Sequence, residues 1–259
     1  ECGSEKICCF GVGTQKAEDC LKELIPGVRI LRMDSDSKNL KNSYKCELKK
    51  FANGDYDILL GTQMISKGFN FPNVTLVGVL SADQYMYTGD FRSYEKTFSL
   101  LTQVIGRAGR GCSSGKAIIQ TFSPESDLLK LCANQDYEAF FENETVIRKA
   151  MLYPPFADIC VIGFVSKTES KVHDSSFKFF KIIKNEASNK YKNIPLRIFA
   201  PCAANVKKVA GNYRYRIVIK CRNNNDFLNL ISDSLRSFSK EPVSRDVRVF
   251  VDINPDSIL

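Results

Sequence analysis

Several things are scarce in this 259-residue chain, and each scarcity narrows what it can do. It has one histidine, His173, in the polar run "KVHDSS" at a helix start, where a solvated side chain is the plain reading. That lone histidine, with no dinucleotide glycine fingerprint after a strand, counts against a small-molecule α/β enzyme. No apolar run reaches the ~18 residues of a membrane span. No signal peptide is recognisable. The ten cysteines include no CxxC pair and sit mostly in apolar segments such as "ICCFGVG" and "ADICVIGF". They read as buried, reduced thiols of a cytoplasmic protein rather than a disulfide framework. A phosphate loop is missing too. The nearest match, "GCSSGKA", would need a glycine where Arg110 stands, and Ala117 offers no hydroxyl for magnesium. It reads as a turn feeding a strand. No acidic strand-end motif for magnesium is evident either, so the chain cannot bind and hydrolyse a nucleotide by the usual loop on its own.

What is present is ordinary globular material, 44% hydrophobic and 25% charged, enough for two domains. The net charge of +8 suits a nucleic-acid partner without requiring one. There are no repeats and no low-complexity segments. The chain begins Glu1-Cys2-Gly3 without methionine and reads as cut from something longer.

Strand-like and helical patterns alternate in the first half. "ICCFGVG", "VRILRM", "YDILLG", "VTLVGVLSA" and "KAIIQTF" read as strands, with "KAEDCLKELI", a stretch ending "YKCELKKF", and "YEKTFSLLTQVIGRA" between them. Such alternation predicts a parallel sheet covered on both faces. Helical material from Asp127 to Ala150 is ended by "YPP" at Tyr153, because proline cannot continue a helix. The expected domains are therefore residues 1–152, α/β, and 153–259, smaller and α+β. The second half reads β-α-β-β-α-β, a ferredoxin-like order with both helices on one face. Its first helix is read with Phe177, Phe180, Ile183 and the Lys184 stem on one side.

Two motifs carry chemistry. In "TQVIGRAGR", Gln103 to Arg110 fall at the end of a helix and the turn after it. Arg107 and Arg110, at i and i+3, share a face there. Two guanidiniums aimed together can grip one phosphoryl group, each bidentately. Gly106 and Gly109 keep that face clear for an approaching surface. Taken alone, the motif reads equally as a surface helix with two solvated arginines. In "LLGTQMISKGFNFP", Gly61 turns the chain and Thr62 is placed to cap a helix. The amides beyond it suit a backbone phosphate, Lys67 adds charge, and Gly68 lets a ligand come close to the backbone.

G-T-Q-x-x-x-K-G followed by Q-x-x-G-R-x-G-R resembles motifs V and VI of superfamily-2 helicases. "GVGTQKAEDCLKELIPGVRILRMDSDS" and "LYPPF" narrow the resemblance to the primosomal protein N′ (PriA) family of replication-restart helicases, over essentially the whole chain. It implies a RecA-like second helicase lobe followed by a C-terminal domain, with ATP and magnesium held by an absent first lobe. It implies that Arg107 and Arg110 act on that nucleotide with Gln103 beside them, that Gly68 lies near it, and that Thr62, Gln63 and Lys67 contact DNA. "ECGS" resembles the last knuckle of the family's zinc insertion, with Cys2 its final ligand; the other ligands are missing, so zinc is implied for a longer parent only. DNA forks and single strands, primosome proteins and the single-strand binding protein are the implied partners of a monomer. Asn70 stands where the family often carries an acidic residue or histidine, and Gln15 where glutamate is common.

From Arg197 to Arg222 there are seven basic residues and no acid. In "YRYRIVIKCR" the period is two: Tyr215, Ile217, Ile219 and Cys221 alternate with Arg214, Arg216, Lys220 and Arg222. One face packs on helices; the other is a positive strip, with Lys207, Lys208 and Tyr213 in the preceding loop. Such a strip suits a sugar-phosphate backbone, with the tyrosine free to stack on a base. The family's C-terminal domain is similar to a ribosomal protein. The competing function is accordingly a non-enzymatic nucleic-acid-binding module, which would need no arginine pair for a γ-phosphate.

Overall fold

A computed structural model describes residues 13–33, 41–62, 71–109 and 115–258, with the backbone alone for 41–44. "ICCFGV" (residues 7–12), Cys2, Gln63, Lys67, Gly68, Asn70 and Arg110 lie outside the described residues. The chain forms two units: one of residues 1–88 and 93–140, the other of 89–92 and 141–259. This division falls inside a helix, ahead of the sequence boundary at 152/153.

In the N-terminal unit, α1 (Thr14–Leu24) starts after Gly13 and buries Ala17. β1 (Ile30–Met33) runs parallel to β2 (Ile58–Gly61), with Ile30 opposite Ile58 and Met33 opposite Gly61. α2 (Lys41–Ala52) crosses between them and adds Leu48 to a cluster with Leu31, Met33 and Phe71. The Arg29 guanidinium clips the entry of this pair onto Asp57, at 2.7 and 3.1 Å, and the Arg29 amide donates to the same carboxylate. Those hydrogen bonds hold the Asp57 carboxyl down at about 2. Gln15 is tied to Arg32 on β1 and to Asp19 on its own helix, which gives it a structural role.

A second parallel pair joins β3 (Leu76–Val79) to β4 (Lys116–Ile119), with α3 (Asp83–Met86) and α4 (Ser93–Ile105) in the crossover. α5 (Asp127–Asn134) follows, then α6 (Tyr137–Met151), whose first turn lies in this unit. Phe98 and Leu101 of α4 pack with Leu128, Leu129, Cys132 and Phe140, the rings of Phe98 and Phe140 stacked at 4.2 Å. Buried Asp83 accepts from the Thr121 hydroxyl and the Phe122 amide, pinning the exit of β4 beside that of β3. Mixed α/β content with parallel strands thus holds, as the sequence predicts.

The C-terminal unit is antiparallel. β5 (Asp158–Ser166), α7 (Glu169–Asn189), β6 (Arg197–Ile198), β7 (Cys202–Val209), β8 (Asn212–Cys221), α8 (Asn225–Ser239) and β9 (Arg248–Ile253) follow in order. The sheet runs β6-β8-β5-β9, with β7 also on β8. Cys160, Ile162, Phe164, Ile217, Ile219 and Cys221 face both helices and meet Val172, Phe179 and Ile183 of α7 and Phe227, Leu230, Ile231 and Phe238 of α8. Phe164, Phe179 and Phe238 form an edge-to-face triad with centroids 5.5–6.2 Å apart. The buried stripe of α7 is Val172, Ser175, Ser176, Phe179 and Ile183; Phe177, read on one side with Phe180 and Ile183, is exposed. The Asn224 side chain caps α8 by accepting from the Phe227 amide at 2.9 Å. All six cysteines among the described residues are free thiols. Burial pushes Cys132, Cys160 and Cys221 up to about 12, so they are inert.

Candidate arginine turn and nucleic-acid interface

α4 is amphipathic: Ser93, Thr97, Phe98 and Leu101 are buried, and Gln103 lies half-buried. The helix stops at Ile105. Gly106 still donates to Thr102, but Arg107 and Ala108 close tighter turns onto Val104 and Ile105. Gly109 then takes φ +71°, a conformation that favours glycine, and donates to the Val74 carbonyl. Arg107 therefore sits half-buried in the turn past the helix. The helix thus ends before Arg107, and Arg110, its i+3 neighbour in the sequence reading, lies outside the described residues.

The two glycines that frame residues 110–114 touch. A Cβ on Gly115 would lie 2.1 Å from the Gly109 nitrogen, so only glycine lets the strands of the neck close. Lys116 adds a hydrogen bond to the Thr75 carbonyl. Gly115 and Lys116 thus close against Gly109 and Thr75 where β4 begins; the rest of "GCSSGK" lies outside the described residues. A Cβ on Gly106 would sit 3.2 Å from the Thr102 carbonyl and 3.8 Å from the Gln135 amide nitrogen, so that glycine packs rather than stands clear. Thr62 is exposed just after β2; the helix it would cap lies outside the described residues.

The basic strip of the C-terminal unit divides. Alternation along β8 holds, with Tyr215, Ile217, Ile219 and Cys221 against the helices. Register across the sheet places Arg216 beside Gly163 beside Phe250, and Arg214 beside Val165 beside Arg248, on the opposite, open face. A Cβ on Gly163 would meet the Phe250 ring at 2.1 Å, so glycine is what lets the ring lie over the strand. Here Arg214, Arg216, Phe250 and Asp252 line a cavity of about 140 Å³ that Pro255 and Ile258 help to wall. Arg216 Nη2 donates to Asn205 at 3.1 Å, while its Nε and Nη1 are buried without a hydrogen-bond partner among the described residues.

Lys220 is not part of an exposed strip. It is 8% exposed, with its ammonium 3.7 Å from the Tyr153 ring centroid and donating to the Met151 carbonyl. Burial, then repulsion from Arg197, lowers its pKa. Nor is Tyr213 in a loop or free to stack. It lies in β8, packs against the helical core, and carries Lys208 Nζ 4.7 Å above its ring. Lys207 pairs with Glu169 at 2.6 Å, which raises its pKa. Arg222 is exposed beyond the end of β8. The sequence reading passes over Arg248 and Phe250, although "RVFV" alternates visibly; Gly163 on the neighbouring strand is the signal that an aromatic ring crosses there. Among the described residues no group of His, Cys, Asp and Glu is placed to hold a metal ion. No helix among them is long and apolar enough to cross a membrane.

Residues 3–112 match the family model of the helicase conserved C-terminal domain. Residues 149–256 match that of the primosomal protein N C-terminal domain. The chain is therefore a helicase C-terminal lobe followed by a primosomal C-terminal domain. It belongs to the replication restart protein PriA family, of which it matches the C-terminal part. It is 39% identical to the Bacillus subtilis replication restart protein PriA, over 98% of this chain and 31% of that protein. The Borreliella burgdorferi PriA is 35% identical over 98% and 37%, and the Haemophilus influenzae PriA 30% identical over 100% and 34%. The chain thus spans about a third of the length of these relatives.

Proposed function

We propose that this chain is the C-terminal part of an ATP-dependent DNA helicase of replication restart. It supplies cations to a nucleotide that an upstream lobe holds, and it contacts DNA through its C-terminal unit. The observation that carries the reading is the "QVIGRAGR" turn: an arginine half-buried past a core-packed helix, beside a neck that only glycine closes. ATP with magnesium supplies the transferable phosphoryl group when bound to the longer protein. Arg107 and Arg110 would neutralise charge on that group, with Gln103 beside them and Gly68 near the nucleotide. Thr62, Gln63 and Lys67 would bind a DNA backbone phosphate. Cys2 would complete a zinc site whose other ligands lie upstream.

In full-length protein, Arg107→Ala should lower DNA-stimulated ATP hydrolysis by about 10³ with DNA affinity nearly unchanged. Normal hydrolysis in both Arg107→Ala and Arg110→Ala would make the arginines surface residues. The chain by itself should hydrolyse no ATP; turnover that survives Arg107→Ala would refute this. On the C-terminal unit, Arg214, Arg216 and Arg248 form the phosphate-facing set, and Phe250 takes the stacking role. Lys207, Lys208 and Arg222 are peripheral. The two unsatisfied donors of Arg216 favour this face, because a buried donor without a partner is costly until an anion meets it. Forks and single strands are the substrate class. Primosome proteins and the single-strand binding protein are partners of a monomer in the cytoplasm.

A further inference from the structure

The sheet face that carries Arg214 and Arg216 is free of helices, yet one end of it has a second layer. β9 ends at Ile253, and Asn254 then takes φ +53°, a left-handed conformation that asparagine tolerates better than most residues. The Asn254 side chain accepts from the Ile159 amide at 2.9 Å and donates to Asp158 at 2.7 Å. Its own amide donates to the Ile159 carbonyl at 2.7 Å. These three bonds fix the turn, and Pro255 follows with φ held by its ring. Residues 255–258 thus leave the sheet as a short strap. Pro255, Ser257 and Ile258 line the cavity of about 140 Å³ together with Val161, Arg216 and Phe250.

The far end of the strap is fastened within the same unit. Residues 89–92 belong to that unit, and Asp90 Oδ2 accepts from the Ser257 hydroxyl at 2.5 Å and from the Ile258 amide at 2.9 Å. Arg92 adds an ion pair to Asp256 at 2.6 Å, a weak one, because Asp256 stands 94% in solvent.

What the strap does follows from what lies beside it. Arg216 Nε and Nη1 are buried without a hydrogen-bond partner among the described residues, and such donors call for an acceptor group. Phe250 offers a flat ring in the same cavity. Asp252 lines it too and balances one of the two arginines there, so the site suits one phosphate rather than a row of them. A single strand meets all of this: a phosphate reaches the arginines and an unstacked base reaches the ring. A duplex keeps its bases paired and stacked inside, and a wall beside the arginines keeps the wider rod from settling on them.

We infer that the strap of residues 255–258, turned by Asn254 and latched by Asp90, makes this face selective for single-stranded over duplex DNA. The inference rests on the phosphate role of Arg216 proposed above. Pro255 and Ile258 form the wall and determine the specificity. Asp90 is a positioning residue that acts through Ser257 and Ile258.

The experiment measures the affinity of full-length protein for a single-stranded oligonucleotide and for a blunt duplex of the same length. The wall variants Asp90→Ala, Pro255→Gly and Ile258→Gly are each made with and without Arg216→Ala, and thermal melting checks that each is folded. A variant that melts early is replaced by Ile258→Ala, which trims the same wall by less. With the wall intact, Arg216→Ala should weaken single-strand binding about tenfold, the size of a lost charged hydrogen bond, and duplex binding by less than about twofold. In the wall variants the duplex loss caused by Arg216→Ala should rise toward the single-strand loss, a gain of contact that mere damage to the fold would not produce. If Arg216→Ala costs only single-strand affinity in every background, the strap does not select, and the phosphate reading stands. If it costs both ligands equally with the wall intact, the face has no selectivity and the inference is overturned. If it changes neither ligand in any background, the phosphate reading falls, the inference falls with it, and the cavity is left to a protein partner.

Discussion

The two units hold themselves together differently. Among the described residues, the N-terminal unit has two separate clusters, each under its own two-stranded parallel pair. The C-terminal unit has one continuous core between a five-stranded antiparallel sheet and two helices. Parallel strands need a crossover for each pairing, and burial divides among the crossovers. Antiparallel strands join by hairpins, and here both helices settle on one face, leaving the other open. The lesson concerns where a ligand site can be made. In the C-terminal unit the candidate is a whole sheet face; in the N-terminal unit it is a turn at a helix end, held by contacts between Gly109, Gly115 and the β3 entry.

The largest way to break this comparison is to puncture the single core. Phe179→Ala removes a fully buried ring from the aromatic triad. It should destabilise the C-terminal unit by about 3–5 kcal/mol. In thermal unfolding followed by unit-specific probes, that transition should fall while the transition of the N-terminal clusters moves little. A common shift of both would show that the units unfold as one.

A smaller effect tests the open face. Arg214→Ala with Arg216→Ala should weaken binding of single-stranded DNA at low salt. The slope of log K against log salt should flatten by about 0.7 for each lost phosphate contact. Phe250→Ala should cost affinity evenly across salt, at about 1–3 kcal/mol for one stacked base. An unchanged slope in the double variant would turn the face into a protein-docking surface or bare solvent-facing sheet.

The smallest effect lies in the N-terminal unit. The Asp57 carboxyl is lowered to about 2 by Arg29, against an ordinary carboxylate near 3.8. A depressed pKa contributes stability that is present above the unfolded value and lost as pH falls through the folded one. The melting difference between the wild type and Asp57→Asn should therefore be constant above about pH 4 and shrink from there toward pH 2. A difference that persists at pH 2 would show that the clip works without its charge.

Much of this was legible in the order of residues. Alternation of strands and helices gave the mixed α/β lobe, and "GTQ…KG" with "QVIGRAGR" carried its resemblance to helicases. "YRYRIVIKCR" announced which side of β8 meets the helices. Starting that strand at Asn212 would also have assigned Tyr213 to the helical side, since a period of two leaves no choice. Phe250 was readable in principle, as an aromatic in an alternating strand with a glycine on a partner.

Other features belong to the tertiary structure alone. Period two fixes a residue's face but not its depth, so Lys220 looks like Arg214 until Tyr153, Phe199 and the Met151 carbonyl close over it. The helix end at Ile105 and the glycine contact at the neck arise from packing against the β3 entry, which no local pattern encodes. The assignment of Gly89–Arg92 to the C-terminal unit depends on Asp90 meeting Ser257 and Ile258 across 167 and 168 residues. Composition and periodicity determine which residues can be buried and which face they take. Contacts between distant segments decide which charged groups remain exposed to a ligand, because only the folded chain sets what lies above each side chain.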